Sequence, residues 1–141
     1  MKLNTSYLHT CISALEKAHG ELSQLTNLDQ SLYEIYRAAC IKEFELILEQ
    51  CTVLLRKVLS SFYSSNRHTA RLAFKDVFRY AARHDILDSD SVERWLRYRQ
   101  LRNDTVHEYG EDYAEQTIKF LPHFIDDAKT LGELIERINN D

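Results

Sequence analysis

Leu8, Cys11, Leu15, Ala18, Leu22 and Leu25 recur at alternating gaps of three and four. That is the period of one face of a helix, and it predicts a first helix over residues 4–25. After the turn-like TNLDQS, the residues Ile41, Phe44, Leu48, Cys51, Leu55, Val58 and Phe62 keep the rhythm. They predict a second helix over 30–63, about 50 Å long at a rise of about 1.5 Å per residue, ended by SSNRHT. A third segment over 68–84 places Ala70, Phe74, Val77, Phe78 and Ala81 on one side. The fourth begins near Asp90, placed to cap the helix while Glu93, three positions on, returns a bond to the cap's own amide. Val92, Trp95, Leu96 and Leu101 supply its apolar contacts, and Gly110 suits a residue that closes a helix with positive φ. A last helix starts in the acidic EDYAEQ, favourable at a positive helix N-terminus, and continues along Leu121, Phe124, Ala128, Leu131, Ile135 and Ile138. Pro122 lies inside it and predicts a kink or break near residues 118–121.

No strand-like alternation of period two interrupts this pattern. The expected fold is therefore all-α: an up-and-down helical bundle of four main helices plus a short extra helical segment, in a single domain over residues 1–141. The chain has 3 glycines and 1 proline, with 28% charged and 44% hydrophobic residues, as a helical protein rich in Leu, Glu, Arg and Lys has. Its 141 residues suffice to bury a core without disulfides or metals. Cys11, Cys40 and Cys51 are odd in number and form no C-x-x-C, which points to buried thiols rather than a disulfide framework or a zinc site. No apolar run approaches the roughly 18 residues of a membrane span, and the polar start is neither a signal nor a transit sequence. A cytoplasmic protein with no membrane association, no metal and no cofactor is expected.

The net charge of -4 argues against indiscriminate coating of nucleic acid, but its distribution is uneven. Residues 1–55 carry 4 basic and 7 acidic side chains, residues 56–107 carry 11 and 6, and residues 108–141 carry 3 and 9. The middle is thus +5 between acidic flanks, and a polyanion would meet the middle. Arg67, Arg71, Lys75, Arg79 and Arg83 follow at four-residue steps as a ridge on the third helix, and Arg94, Arg97 and Arg99 precede the motif below, with Trp95 and Tyr98 among them. Three readings fit this surface: guidance and stacking of RNA, an ordinary solvated face, and docking of an acidic partner. Trp95 also suits the core or a dimer interface.

The end of the fourth helix reads RNDTVHEYG, residues 102–110. Histidine exchanges a proton near neutral pH, and arginine holds phosphate with a fork of donors that keeps its charge. Together they suffice for cleavage of RNA without a metal. His107 would take the proton of a ribose 2′-hydroxyl as it attacks phosphorus, and Arg102 would stabilise the charge gathering on the phosphoryl oxygens. On an ideal helix the five-residue step turns about 140° and the seven-residue step to Tyr109 about -20°. Arg102 and His107 would then converge only if the helix loosens near residues 104–106 or lines a groove wide enough to use both sides. Asn103, four before His107, shares its side. With 11 arginines and 6 histidines, about half an Arg-x4-His pair is expected by chance, and a second one, Arg79 and His84, is present. Arg102 also reads as a cation favoured at a helix C-terminus, and Tyr109 as a packing residue. The acids Glu108, Glu111, Asp112 and Glu115 would repel RNA, and helix-start electrostatics is their alternative account.

Arg102, Asn103, three further residues, His107, Glu108 and Tyr109 resemble the motif of HEPN-domain proteins. More specifically, they resemble the small bacterial HEPN proteins encoded beside a minimal nucleotidyltransferase (MNT), also known as nucleotidyltransferase substrate-binding proteins. KEFELILEQCTVLLRKVL, AFKDVFRYAARHDIL, VERWLRYRQLRND and the proline-containing last helix extend the resemblance over nearly the whole chain. It implies a helical homodimer whose motifs face a shared cleft, where a second His107 serves as the acid that protonates the leaving 5′-oxygen. It further implies a metal-independent endoribonuclease toxin acting on RNA, with Arg102 and His107 catalytic and Asn103 supporting. A separate MNT antitoxin would neutralise it by AMPylation of Tyr109. The alternative is a non-catalytic substrate- or nucleotide-binding subunit of a two-component nucleotidyltransferase. No Gly-Ser followed by spaced aspartates occurs here, so under either reading the transferase is another chain.

Overall fold

The structure is a computed structural model that describes residues 2–25, 29–62, 69, 71–108 and 111–140, with backbone alone at 105–108, 111 and 140. Among these residues the regular structure is all helical, in the order α1 (Ser6–Gln24), α2 (Gln30–Ser60), α3 (Phe74–Arg83), α4 (Ser89–Glu108) and α5 (Glu111–Asn140). Four long helices and one of 10 residues, α3, make the expected bundle. The helix α1 packs on α2 and α5, α2 also on α5 and α3, and α4 against α3 and α5.

The seams foreseen on α1 and α2 go into the core except at the start of the α2 seam, where Cys40 is buried and the expected Ile41 is only half-buried. Leu8, Cys11, Ile12, Leu15 and Leu22 of α1 face Cys40, Phe44, Ile47, Leu48, Cys51, Leu54, Leu55, Val58 and Leu59 of α2. Asp29 caps α2 by accepting from the Leu32 amide at 3.0 Å. The second helix stops at Ser60, short of the expected 63, and Phe62 leaves the core, half exposed and stacked on His84 at 4.2 Å. All three cysteines are buried and free, as expected.

Two starts were misplaced. The third helix begins at Phe74 rather than 68, with Arg71 in a turn before it. It ends where the amides of Asp85 and Ile86 reach back to the carbonyls of Ala82 (3.1 Å) and Ala81 (2.9 Å), with Asp85 itself at φ 57°. That left-handed closure usually takes glycine, and aspartate is among the few other residues that tolerate it. The fourth helix is capped by Asp88, not by the Asp90–Glu93 pair. Asp88 Oδ1 accepts from the Ser91 amide at 2.8 Å and its carbonyl from the Val92 amide at 3.1 Å. The segment Asp-Ser-Asp-Ser offers a cap at either aspartate, and the earlier one adds another half-turn to the helix.

Pro122 does not break α5, which runs without interruption from Glu111 to Asn140. The ring sits on the exposed side, while Leu121, Phe124, Ile125, Ala128, Leu131 and Ile135 are buried on the other. Burial on both sides of the proline holds the helix together against a local cost of about 3 kcal/mol. Where α2, α3, α4 and α5 meet, aromatic rings fill the core: Phe78 on Trp95 at 5.2 Å, Trp95 on Tyr98 at 5.5 Å, Tyr98 on Phe124 at 5.0 Å and Phe124 on Phe44 at 4.7 Å. Each such side chain contributes on the order of 2–3 kcal/mol by leaving water.

Candidate functional site

Trp95 and Tyr98, each 1% exposed, fix α4 in the bundle. They are therefore unavailable as stacking faces for RNA. Asp127 of α5 reinforces this seat. It accepts from the Tyr98 hydroxyl at 2.5 Å and takes a two-point grip from Arg94, Nε at 2.9 Å and Nη2 at 3.0 Å. Arg94 is thereby committed to an ion pair, and burial and Asp127 together push the Tyr98 phenol above its ordinary value. Arg97 lies over the Phe120 ring.

The next two arginines of α4 face a groove of about 610 Å³ between α2 and the start of α3. Arg99 and Arg102 form its α4 wall, Lys42, Glu45, Glu49, Thr52 and Arg56 its α2 wall, and Ala73 and Phe74 close one end. Arg56 donates through Nε (3.3 Å) and Nη2 (3.0 Å) to the Leu72 carbonyl, which orients the guanidinium without neutralising it. Arg99 lies over the Phe74 ring at 5.5 Å. Burial, then the charges of Arg102 and Arg56, lower its pKa, so the three guanidiniums sense one another. Arg102 Nη1 reaches its neighbour Asn103 Oδ1 at 3.3 Å. Among the described residues no carboxylate pairs with Arg56, Arg99 or Arg102.

Of the residues the sequence singled out, Arg102 lines this groove, and Asn103, half-buried like it, is its hydrogen-bonded neighbour on α4. Position 107 is on the last turn of α4, with its side chain outside the described residues, and Tyr109 and Gly110 lie outside them altogether. The helix does not loosen at 104–106: it is regular through Glu108. Positions 102 and 107 thus stand about 140° apart around one axis. Arg71, Lys75, Arg79 and Arg83 are exposed, and Arg67 lies outside the described residues. The sequence reading missed Lys42 and Arg56. Their signal was a second stripe on α2, Lys42, Glu45, Glu49, Thr52 and Arg56, at the same alternating steps of three and four as the core seam.

A family model described as nucleotidyltransferase substrate binding protein like matches residues 8–137, nearly the whole chain. The protein belongs to this family. Within reach of it, the probable ribonuclease HepT of Haemophilus influenzae is 24% identical over 141 residues, covering 98% of this chain and 95% of that protein. A Haemophilus influenzae structure described as the fold of a substrate binding domain of a nucleotidyltransferase superposes with a TM-score of 0.79 at 22% identity, over 94% of this chain and 99% of that one. The tri-AMPylated Shewanella oneidensis HEPN toxin, solved in complex with MNT antitoxin, gives 0.64 at 15% identity, over 96% and 99%. At these identities the two structures speak for the fold alone. For a member of the substrate-binding-like family, the groove beside Arg102 is then the feature to account for chemically.

Proposed function

We propose that the protein is a metal-independent endoribonuclease toxin of a HEPN/MNT pair, acting on RNA in the cytoplasm. The observation that carries this reading is Arg102 at the rim of a groove with two further unneutralised guanidiniums, five residues before position 107 on an unbroken helix. Arg102 binds the scissile phosphodiester and stabilises the charge on its non-bridging oxygens. An imidazole takes the 2′-hydroxyl proton, the 2′-oxygen attacks phosphorus, and the bond to the 5′-oxygen breaks. Protonation of that oxygen yields a 2′,3′-cyclic phosphate and a 5′-hydroxyl. Because positions 102 and 107 diverge by about 140° on one helix, the base and acid come from a homodimer in which both motifs face one cleft. Asn103 supports His107 from its own side of the helix.

The partner is an MNT antitoxin that AMPylates Tyr109. A phosphate there would occupy the anion site of Arg102 and carry an adenine into the cleft. A kinship with a probable ribonuclease and a fold shared with a HEPN toxin bound to MNT antitoxin support the proposal. The family description favours a second reading, a non-catalytic subunit that holds a substrate or nucleotide for a separate transferase. Expression without the neighbouring transferase separates the two. The toxin reading expects growth arrest and RNA cleavage that Arg102→Ala and His107→Ala each abolish while remaining folded. On co-expression it expects an AMP adduct by intact mass that Tyr109→Phe removes. Harmless expression with tight transferase binding selects the second reading instead.

A further inference from the structure

The groove holds more positive charge than one phosphodiester requires. Arg56 comes from the C-terminal half of α2, while Arg99 and Arg102 stand one turn apart on α4. Lys42 lies on the same wall as Arg56, so four cations face two acids, Glu45 and Glu49. A packed protein ordinarily places carboxylates on such arginines. This protein does so elsewhere, with Asp127 on Arg94 and Glu115 on Arg37. Here the guanidiniums instead rest on groups that fix their position and leave their charge standing: a backbone carbonyl for Arg56 and an aromatic face for Arg99. Burial first, and then the neighbouring charges of Arg102 and Arg56, disfavour the charged form of Arg99, and a bound anion would offset both. The side chain of Phe74, half-buried beside Arg99, adds a ring at the same end of the groove.

We propose that Arg56 and Arg99 form a second phosphate subsite, which holds the backbone phosphate next to the one gripped by Arg102, so that the groove between α2 and α4 tracks a stretch of single-stranded RNA. This rests on the ribonuclease reading for the identity of the polyanion. It adds two residues that lie outside the 102–109 motif and do no chemistry. Arg56 is the less mobile anchor, since its Nε and Nη2 already donate to the Leu72 carbonyl, and Nη1 remains as a donor for a phosphate. Phe74 provides a face for a base once the Arg99 guanidinium turns to its phosphate.

The test is binding of a fluorescent 2′-O-methyl oligoribonucleotide, which cannot be cleaved through its 2′-oxygen, to the purified full chain by anisotropy over a salt series. Arg99→Gln and Arg56→Gln are each expected to weaken binding about tenfold and to lower the slope of log Kd against log salt by about 0.7, one phosphate contact on a single strand. Lys17→Gln, on the exposed side of α1 away from the groove, should change neither. Arg56→Gln also removes the bonds to Leu72. If that variant does not fold, Arg99→Gln decides alone. Affinity and slope unchanged in Arg99→Gln, or an unsubstituted chain that does not bind the oligomer, overturn the proposal. So does 5′-AMP displacing the oligomer with equal affinity and equal sensitivity to Arg99→Gln, because the groove would then be a mononucleotide site. The two readings fail separately. Cleavage lost in His107→Ala with Arg56 and Arg99 indifferent to binding keeps the nuclease and removes the subsite, whereas Arg99-dependent binding by a chain that cuts no RNA keeps the subsite and removes the nuclease.

Discussion

Asp127 is the acceptor on which the seat of α4 depends, and its removal has a magnitude that the geometry sets. In Asp127→Ala two things are lost. The Arg94 pair is one, but Arg94 is 45% exposed and such pairs are worth about 0–1 kcal/mol. The larger loss is at Tyr98, whose hydroxyl, in a residue 1% exposed, would keep its donor and lose the carboxylate that accepts from it. An unsatisfied buried donor costs about 1–3 kcal/mol, so Asp127→Ala should cost about 1–4 kcal/mol in total. Tyr98→Phe leaves Asp127 its two bonds from Arg94 and should cost about 1–2 kcal/mol. The decisive variant is the double one. Phenylalanine at 98 removes the orphaned hydroxyl, so adding Tyr98→Phe to Asp127→Ala should be close to neutral, giving a coupling of about 1–2 kcal/mol. Thermal unfolding followed by circular dichroism at one fixed protein concentration reads this directly, since a chain of this size moves about 3 °C per kcal/mol. If the double variant loses as much as the two singles added together, the hydroxyl–carboxylate bond is not what holds α4 on α5.

Glu115 accepts from the Tyr33 hydroxyl at 2.7 and 2.9 Å and from Arg37 at 3.0 Å. Burial alone would raise its pKa, but these bonds outweigh it and hold the carboxyl below its ordinary 4.5. A depressed folded pKa contributes stability above the unfolded value and loses it as pH falls through the folded one. Between pH 5 and pH 3 the melting temperature should therefore fall more steeply for the unsubstituted chain than for Glu115→Gln, and parallel curves would contradict this. Burial pushes the Cys40 thiol up to about 11 and Cys51 higher still, while Cys11 is raised by the same cause. At pH 8 a disulfide reagent such as DTNB should titrate none of the three thiols rapidly in the folded protein and all of them in denaturant; one fast thiol would show that its helix face opens.

The helices were legible because each long one carries a strict apolar seam, and Leu8 to Leu22 on α1 or Phe44 to Val58 on α2 go into the core as spaced. Their ends were not, because ends depend on contacts the seam does not encode. Asp88 and Asp90 are equivalent as caps in sequence, and the helix takes the former, which lengthens it by a half-turn. The break that Pro122 allowed does not occur, for a related reason. The rule that proline breaks a helix is local, whereas the burial of Leu121 and Phe124 around it is tertiary. Phe62 fitted the α2 period and yet lies outside the core, since the helix has already ended at Ser60.

For the groove the limit is of another kind. The excess of basic residues over 56–107 was visible as a block, but charge counted along a chain does not say which arginines are neutralised. Arg94, Arg97, Arg99 and Arg102 are close in sequence, and the fold gives them four fates: an ion pair with Asp127, a place over Phe120, a place over Phe74 and the rim beside Asn103. Spacing explains the split. Arg94 projects toward α5, while Arg99 and Arg102, three apart, share the face toward α2. There they meet Arg56, whose position on the second stripe of α2 had no meaning until the two helices were packed together. A motif search centred on Arg102 and His107 therefore finds where a phosphate would react. It misses the residues that would hold the rest of the strand, because these are brought in by packing from a helix far away in sequence.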